Sequence, residues 1–334
     1  MTANRQIVLA ELPGGAKLAP EHFALSEAAV PAPGEGEALL RILYVSLDAA
    51  NRAWMQGATY RSAINAGDVM AGGALAEVVE SKDASLSPGD LVFADTGWQE
   101  WAVLPARKLQ KIPRIEPLTN LLSVYGVAGQ TAYFGLLECG RPKAGETVVV
   151  SAAAGSVGSI VGQIAKIKGC RVIGIAGGQA KCDLLVNELG FDAAVDYKAG
   201  NVFKALRAAA PGGIDVYFDN VGGDIFEAAL FNMNTFGRIA CCGAVSGYDG
   251  SAPPAGPRGV PGLIVTKRLN VQGFIVSDFY DRLEPALAEL KGWVESGQLK
   301  VREDVLEGLE SLPGALIGLL AGENVGKRMV KVAG

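Results

Sequence analysis

The chain has 334 residues, of which 49% are hydrophobic and 19% charged, and its formal net charge is −5. This length allows two domains with separate cores, and the charge leaves no basic surface of the kind that nucleic acid requires. The sequence has no run of about 18 apolar residues, and its first residues lack a signal peptide's apolar core. We therefore expect a cytoplasmic protein without nucleic-acid or membrane partners.

The first 125 residues alternate between short apolar runs and turns rich in Gly and Pro. This pattern predicts a small β-barrel-like domain with strands at residues 38–45, 74–80, 90–94 and 101–105. Between the first two strands the chain carries Asn51, Arg52 and Tyr60, polar and aromatic residues that are candidates for lining a substrate pocket. Ordinary loop packing explains them equally well.

The stretch 147–190 predicts a βαβ unit. β-branched residues 147–150 suit a buried parallel strand, and residues 157–167 carry apolar side chains at helical spacing. Between them, Ala153, Gly155 and Gly158 occupy the three positions of a G-x-G-x-x-G turn, with alanine in the first. Such a turn brings backbone N–H groups and a helix N-terminus up to a phosphate, although glycine also serves turns that bind nothing.

The end of the second strand, predicted at residues 171–175, discriminates between NAD and NADP. An NAD site places an acid roughly 20 residues past the glycine turn, where it holds the ribose hydroxyls. Here the chain instead has Gly177, Gly178 and Lys181, which leave room for a 2′-phosphate and supply a cation. This favours NADP, whereas a solvated lysine at a helix start is the simpler explanation of Lys181 alone.

Strands and helices alternate up to residue 298, which predicts a doubly wound parallel sheet. Strands are expected at 193–196, 214–218, 238–243 and 271–276, a strand-like run at 263–265, and helices at 121–139, 202–210, 225–233 and 283–294. The segment 247–261 is rich in Gly and Pro and is the natural substrate loop. The last stretch, 327–332, predicts a strand that returns to the first domain.

Five cysteines and a single histidine, His22, limit the metal and nucleophile chemistry of the sequence. The sequence contains no C-x-x-C pair, and Cys241 and Cys242 are adjacent within a predicted strand, so we expect reduced, mostly buried thiols. A structural zinc cluster and a catalytic triad therefore have little support. We expect His22 at the surface, because it follows Pro20 and Glu21 in a loop-like stretch.

Several motifs together resemble those of one family. They are AAAGSVG at 152–158, GGQAK at 177–181, DYK at 196–198, YFDNVGG at 217–223, CGAVSGY at 242–248 and GFIV at 273–276. Across the whole chain, the sequence is similar to zinc-independent medium-chain dehydrogenases/reductases, and within them to the NADPH-dependent alkenal and enone double-bond reductases. The resemblance implies an α/β fold, with a Rossmann doubly wound parallel sheet at 126–298. It also implies a GroES-like β-barrel catalytic domain at 1–125, completed by 299–334.

The same resemblance implies where NADPH binds. Residues of the glycine turn would approach the pyrophosphate, Lys181 and Tyr197 the 2′-phosphate, and three later residues the nicotinamide half. The implied cofactor residues are Ala154, Gly155, Val157, Gly158, Gly178, Lys181, Tyr197, Asn220, Gly243, Phe274 and Asn324. Structural roles stay open for them: Asn220 would then cap a turn, Phe274 fill the core and Asn324 end a strand.

The departures from the family pattern concern metal and substrate. Zinc-dependent relatives carry Cys near residue 46 and Gly-His-Glu near residue 70, whereas this chain has Ser46, Met70 and Ala71, so we expect no catalytic metal. The double-bond reductases usually read Asp-Pro-Tyr-Met-Arg where this chain reads DAANR at 48–52. A tyrosine is thus missing from the substrate side, and the identity of the substrate stays open.

Reduction of an α,β-unsaturated ketone or aldehyde needs a hydride at the β-carbon, a donor to the growing enolate oxygen and a proton at the α-carbon. NADPH supplies the hydride, and without a metal or a nearby histidine a hydroxyl is the expected donor. Tyr248, at the start of the Gly/Pro segment, is our candidate both for catalysis and for substrate contact. Its alternative role is to anchor that loop.

Two other functions stay open at this point. An NADPH:quinone oxidoreductase would use the same cofactor site without zinc, and a non-catalytic NADPH-binding protein would keep the phosphate contacts without turnover. We also expect a homodimer, because the apolar runs at 263–265 and 271–276 would form an exposed sheet edge.

Overall fold

The computed structural model describes residues 3–59, 61–250 and 256–333. Over these ranges the chain forms a parallel six-stranded sheet, a mostly antiparallel seven-stranded sheet and an antiparallel two-stranded ladder. The predicted α/β fold is confirmed. Tyr60 and residues 251–255 of the Gly/Pro segment lie outside the described residues.

The N-terminal elements build the two-stranded ladder and five strands of the seven-stranded sheet. They are β1 (Ala3–Leu9), β2 (Phe23–Ala29), β3 (Glu37–Ser46), α1 (Ala50–Ala53), β4 (Gly73–Ser81), β5 (Leu91–Asp95), β6 (Trp101–Pro105) and β7 (Gln110–Lys111). β3 pairs antiparallel with both β4 and β6, and its Leu40 and Ile42 are fully buried. The four strands predicted in this region are confirmed as β3, β4, β5 and β6.

The following elements form the parallel sheet and its helices. They are α2 (Val127–Phe134), β8 (Thr147–Val150), α3 (Ser156–Ile167), β9 (Arg171–Ala176), α4 (Gln179–Asn187), β10 (Ala193–Asp196), α5 (Val202–Ala209), β11 (Ile214–Asp219), α6 (Gly223–Asn232), β12 (Met233–Cys241), α7 (Val260–Lys267), β13 (Asn270–Gly273) and α8 (Leu283–Glu295). The strand order is β10-β9-β8-β11-β12-β13. The order reverses between β8 and β11, and doubly wound sheets bind ligands at that point.

The C-terminal elements return to the first sheet. They are β14 (Glu303–Glu307), α9 (Leu312–Leu320) and β15 (Lys327–Lys331). β15 pairs antiparallel with β3, and β14 pairs parallel with β15. The predicted returning strand is therefore confirmed, whereas the domain boundaries at 125 and 298 stay predictions.

Buried side chains cover both faces of the parallel sheet. On one face Val148 and Val150 pack in a core with Ile164 of α3. On the other face Val149 packs in a core with Leu206 of α5 and Leu230 of α6. Successive residues of a strand face opposite sides, so this burial on both faces explains the uninterrupted apolar run of β8. Within the described residues, every helix is too short or too polar to cross a lipid bilayer.

Two predictions near the sheet edge were wrong. Residues 263–265 belong to α7 rather than to a strand. The helix begins at Val260 with Pro261 in its first turn, and Leu263 and Ile264 pack onto the core while Val265 is 71% exposed. Three apolar residues cannot separate helix from strand by periodicity. The strand predicted at 271–276 ends at Gly273.

His22 was also predicted wrongly. It is 7% exposed, and its Nδ1 accepts a hydrogen bond from the N–H of Ala19 at 2.9 Å. The turn that contains it connects β1 to β2, two strands that the sequence did not predict. β2 is mostly exposed, so it lacks the apolar alternation that marks a half-buried strand.

Candidate active site

A cleft with a volume of about 1950 Å³ lies at the carboxyl ends of β8, β11 and β12. Residues that follow β3, among them Leu47 and Asp48, close it from the side of the seven-stranded sheet. The cleft is therefore built by both halves of the chain. The predicted site residues that line it are Ala154, Gly155, Val157, Gly158, Lys181, Tyr197, Asn220, Gly243, Tyr248, Phe274 and Asn324.

The glycine turn brings the start of α3 close to β8. A Cβ on Gly158 would lie 2.4 Å from the carbonyl oxygen of Ala152, so only glycine fits there without a backbone shift. Gly155 is the N-cap residue of α3, and no side chain of the described structure caps this helix end. The N–H groups of the first turn therefore have no intrahelical acceptor, and with the helix dipole they form an anion site at the cleft.

The glycine turn also contacts the segment 322–326 from the other half. The carbonyl oxygen of Ala154 accepts a hydrogen bond from the N–H of Gly326 at 2.8 Å. Gly326 has a φ of +71°, and a Cβ there would lie 2.1 Å from the carbonyl oxygen of Arg302. Glycine is thus required for the two halves to meet at this point.

Lys181, at the start of α4, connects the same two halves. Its Nζ donates to the carbonyl oxygens of Asn324 at 2.6 Å and Gly322 at 2.7 Å. Burial lowers the pKa of Lys181, and the positive charges of Lys198 and Arg328 lower it further. Of these three cations Lys181 lines the cleft, whereas Arg328 is ion-paired with Asp304. The contact with the segment 322–326 was not expected from the sequence, because it joins residues far apart in the chain.

Gly178 does not line the cleft but shapes the turn that does. It has a φ of +94°, and its N–H donates to Oδ1 of Asp196 at 2.8 Å. The N–H of Lys198 donates to the same oxygen, and these two hydrogen bonds lower the pKa of Asp196. Tyr197 packs on Gly177, where a Cβ would lie 2.8 Å from the ring. Gly177 therefore leaves room for the tyrosine at the cleft, and Gly178 supplies the positive φ of the turn.

Asn220 is fixed at the end of β11. Its Nδ2 donates to the carbonyl oxygen of Ser151 at 2.7 Å, and its N–H donates to Oγ of Ser151 at 2.8 Å. The preceding Asp219 is buried, which raises its pKa, and it accepts hydrogen bonds from Tyr217 and the N–H of Gly222. The sequence prediction missed this supporting network, although Asp219 lies within the YFDNVGG motif.

Tyr248 follows the turn Val245–Gly247, beyond β12. Its hydroxyl oxygen accepts a hydrogen bond from the N–H of Ala244 at 3.3 Å. A Cβ on Gly243 would lie 3.5 Å from that oxygen and 3.4 Å from the carbonyl oxygen of Asn220. The tyrosine hydroxyl thus lies beside the residues that end β11 and β12.

Phe274 lies between the cleft and the core. Its ring makes a T-shaped contact with Phe218, with centroids 6.2 Å apart. A Cβ on Gly135 would lie 2.2 Å from the Phe274 ring, so α2 can approach it only because residue 135 is glycine. The ring therefore has both the predicted cleft position and the core-filling role that was its alternative.

Asn51 and Arg52 are buried and do not line the cleft, contrary to their predicted position at the substrate. Asn51 is 1% exposed, and it accepts from the N–H of Asp48 and donates to the carbonyl oxygen of Ala71. Arg52 is 0% exposed and bonds to Asp249 and to two backbone carbonyls. The short helix α1 turns both side chains inward, where they satisfy buried backbone groups and a carboxylate.

An ion pair beside the cleft was missed by the sequence prediction. Nζ of Lys327 is 2.5 Å from Oδ1 of Asp48, and Oγ of Ser46 donates to Oδ2. Burial by itself raises the pKa of Asp48, but the charge and hydrogen bond of Lys327 outweigh it, so the pKa is lowered. The pair connects β15 to the end of β3. From residues 327–332 the sequence predicted only the strand and not the ion pair.

The cysteines nearest the cleft are poor nucleophiles. Burial raises the pKa of Cys241 to about 11 and that of Cys242 to about 12. Both thiols therefore stay protonated near neutral pH. In the described ranges, no group of three or more His, Cys, Asp and Glu side chains is arranged to hold a metal ion.

Comparison with known families matches both halves of the chain. Residues 5–112 match the N-terminal domain of oxidoreductase, and residues 156–292 match zinc-binding dehydrogenase. Together with the two-sheet fold and its cleft, these matches define a medium-chain dehydrogenase/reductase.

Individual relatives narrow this class. The chain is 44% identical to the NADPH-dependent curcumin reductase of Escherichia coli, over 99% of this chain and 97% of the relative. It is 44% identical to prostaglandin reductase 1 of Bos taurus, over 92% and 93%. The crystal structure of CurA in complex with NADPH from Vibrio vulnificus superposes with a TM-score of 0.93 at 42% identity, covering 99% of both chains.

The chain therefore belongs to the alkenal and enone double-bond reductase group of the medium-chain dehydrogenases/reductases, as the sequence motifs predicted. It is an NADP-dependent oxidoreductase.

Proposed function

We propose that the protein uses NADPH to reduce the carbon–carbon double bond of α,β-unsaturated ketones or aldehydes, without a metal. The names of the relatives at 44% identity, curcumin reductase and prostaglandin reductase 1, support this chemistry. The observation that carries the proposal is the Tyr248 hydroxyl, which lines the cleft beside Gly243 at the carboxyl ends of β11 and β12. That edge is where a doubly wound sheet binds its ligand.

The residues present fit NADPH. The uncapped start of α3 suits the pyrophosphate, and Lys181 and Tyr197, which both line the cleft, suit a 2′-phosphate. At the other end, we assign Asn220, Gly243 and Phe274 to the nicotinamide half, since all three line the cleft. Asn324, which the sequence assigned to the same half, lies instead beside Lys181 at the phosphate end. When bound, NADPH supplies a hydride to the substrate.

Tyr248 is the proposed catalytic donor. Because its oxygen already accepts the N–H of Ala244, its own O–H is left to donate to another acceptor, which we assign as the substrate carbonyl oxygen. A hydrogen bond to that oxygen strengthens as negative charge grows on it, so it stabilises the enolate-like transition state more than the bound substrate. Asn51 and Arg52, which the sequence offered as further donors, are buried away from the cleft.

A substrate screen tests the proposed reaction. NADPH oxidation is measured with enones, enals, quinones and saturated aldehydes, and the products are identified. We expect turnover on enones or enals to give the saturated carbonyl compound. Turnover confined to quinones would replace the proposal with the quinone oxidoreductase alternative, and absence of turnover on every class would favour a non-catalytic NADPH-binding protein.

Independence from metal is part of this proposal, although residues 156–292 match a family named for zinc binding. Ser46 is engaged with Asp48, and Met70 is buried in the core, at the positions where zinc-dependent relatives carry ligands. Dialysis against a strong chelator is expected to leave turnover unchanged. Bound zinc whose removal abolishes activity would overturn this part.

We also propose a homodimer that forms through β13. β13 is an edge strand, its four residues are exposed, and Val265 on the neighbouring α7 is 71% exposed. An exposed parallel edge next to apolar side chains is usually covered by another chain. Light scattering is expected to give twice the 34.6 kDa mass of the chain. A monomer at micromolar concentration would contradict this proposal.

The domain boundaries at 125 and 298 and the cytoplasmic location predicted from the sequence stay proposals too. Limited proteolysis near both positions and fractionation of cells that express the protein would check them.

A further inference from the structure

We propose that Arg52 and Asp249 are positioning residues. They hold the Tyr248 loop (residues 244–249) against the half of the chain that contains the seven-stranded sheet. This inference deepens the proposed function, because it rests on the catalytic role assigned to Tyr248. The sequence offered Arg52 as a substrate contact, and the structure assigns it a partner on the loop that carries the tyrosine.

Arg52 is a buried charge with well-defined partners. It is 0% exposed, and its Nε donates to Oδ1 of Asp249 at 3.0 Å. Its Nη2 donates to the carbonyl oxygens of Ala16 at 2.9 Å and Gly14 at 3.2 Å. A buried guanidinium is strongly destabilising once its carboxylate is removed, so the pair fixes the position of Asp249.

The Tyr248 loop is held at two consecutive residues. Oδ1 of Asp249 also accepts the N–H of Leu18 at 2.8 Å. Nε2 of Gln56 donates to the carbonyl oxygen of Tyr248 at 2.9 Å. Arg52, Leu18 and Gln56 all belong to the N-terminal part of the chain, whereas the loop follows β12 of the parallel sheet. The N-terminal part of the chain therefore holds the end of the loop at Tyr248 and Asp249, whereas Val245 and Ser246 bond to the residues that follow β11.

Hydrogen bonds inside the Tyr248 loop join residues 244 to 248, and the shortest runs from the N–H of Gly247 to the carbonyl oxygen of Ala244 at 2.9 Å. The N–H of Tyr248 donates to the carbonyl oxygen of Val245 at 3.1 Å, and its hydroxyl accepts from Ala244 at 3.3 Å. A displacement of about 1 Å between reacting groups can cost on the order of 100-fold in rate. Loss of the Asp249 charge is therefore expected to lower kcat while the phosphate contacts at α3 and α4 stay in place.

The first test compares Asp249→Asn with a matched control, Glu146→Gln. Arg238 bonds to Glu146 and to the carbonyl oxygens of Gly140 and Arg141, so it repeats the arrangement of Arg52 outside the cleft. We expect Asp249→Asn to lower kcat for an enone by about 10-fold or more, with the Kd for NADPH unchanged. Glu146→Gln should leave kcat unchanged even if it lowers Tm. Equal kcat in both variants would overturn the inference.

A double-mutant cycle separates positioning from general destabilisation. If Asp249 acts through Tyr248, Asp249→Asn should lower kcat hardly any further in the Tyr248→Phe background, because the hydroxyl that Asp249 positions is gone. If the double mutant instead loses kcat by the product of the two single-mutant factors, Asp249 acts independently of the tyrosine, and the proposal is overturned.

Hydrogen exchange gives a readout that does not depend on turnover. In the presence of NADPH, Asp249→Asn should speed the exchange of amides in residues 244–249, whereas Glu146→Gln should not. If wild-type protein fails to reduce enones, the proposed function fails, but exchange still decides whether the pair holds the loop. Unchanged exchange in Asp249→Asn would refute the positioning role.

Discussion

The two ends of the cleft are built in different ways. The end beside α3 and α4 comes mainly from residues 151–198, a continuous stretch of chain with glycines at its turns. The end beside Tyr248 is assembled from segments far apart in sequence, because Gln56 and Asp249 join the two halves there. The first end therefore depends mainly on local turn geometry, and residues 322–326 of the other half contact it at Ala154 and Lys181. At the second end, the other half contacts the loop that carries the tyrosine.

This difference separates cofactor binding from substrate chemistry. A helix N-terminus and a cation recognise phosphate wherever the same short motif occurs, so the α3 end can be shared among proteins with different substrates. The Tyr248 end changes with any residue that shifts one half against the other. We therefore expect mutations at the two ends to affect different kinetic constants.

The largest effect on turnover should come from Tyr248→Phe. This substitution keeps the ring and removes the O–H that we assign to the enolate oxygen. kcat and kcat/KM for an enone should fall together, by roughly 10-fold or more, because the lost interaction forms only in the transition state. The Kd for NADPH should stay nearly constant. If Tyr248→Phe keeps wild-type turnover while Tyr248→Ala raises KM, the tyrosine only anchors its loop.

Gly158→Ala should damage the cofactor end instead. The added Cβ would lie 2.4 Å from the carbonyl oxygen of Ala152, so the turn must shift at a cost of about 1–3 kcal/mol. We expect the Kd for NADPH to rise by about 10-fold, since 1.4 kcal/mol corresponds to that factor. Gly212→Ala is the matched control, because no heavy atom lies within 4 Å of its added Cβ. Wild-type NADPH affinity in Gly158→Ala would contradict the assignment of the glycine turn to cofactor binding.

Lys181→Ala tests the discrimination between the two cofactors. Loss of the hydrogen bonds to Gly322 and Asn324 should affect NADPH and NADH alike, whereas loss of the charge should affect only NADPH. The ratio of the KM increases isolates the second effect, which we expect to be about 10-fold. Equal increases for both cofactors would mean that Lys181 only joins the two halves.

Asp48→Asn should affect stability with little effect on the phosphate end. Its partner Lys327 is 2% exposed and Asp48 is 37% exposed, so we expect a loss of about 1–2 kcal/mol at pH 7, less than for a fully buried pair. Because the folded pKa of Asp48 is lowered, this stability is present above the ordinary pKa of about 4 and is lost as pH falls through the folded value.

Urea unfolding at several pH values checks this expectation. The difference between wild type and Asp48→Asn should shrink as pH approaches 3. Glu295→Gln removes an exposed pair with Lys291 and should change the free energy of unfolding by less than about 0.5 kcal/mol. A difference that stays constant with pH would contradict the assigned ion pair.

The sequence predicted the elements whose burial is regular. Residues 148–150 of β8 and 172–176 of β9 are buried and apolar because both faces of the sheet are covered, and Gly158 after β8 is required by a close backbone contact. The sequence-based prediction failed where the apolar run is short or the residues of the element are exposed. Residues 263–265 became a helix through the turn at Pro261, and β2 shows no alternation because most of its residues are exposed.

The site was predictable where it is formed by one continuous stretch of chain, and it was not predictable where distant residues meet. The residues of the glycine turn line the cleft as expected, because their positions follow from one strand, one turn and one helix. Arg52 was assigned to substrate because a charged residue on a loop gives no sign of an ion pair with Asp249, which lies 197 positions later. The contacts of Lys181 with Gly322 and Asn324 were missed for the same reason.

The position of the transferred hydrogen tests the proposed reaction most directly. NADPH deuterated at both C4 positions is mixed with the enzyme and an enone, and the product is analysed by NMR. We predict deuterium on the β-carbon of a saturated ketone, with the carbonyl group retained. Deuterium on the carbonyl carbon of an alcohol, with the double bond intact, would contradict the proposal.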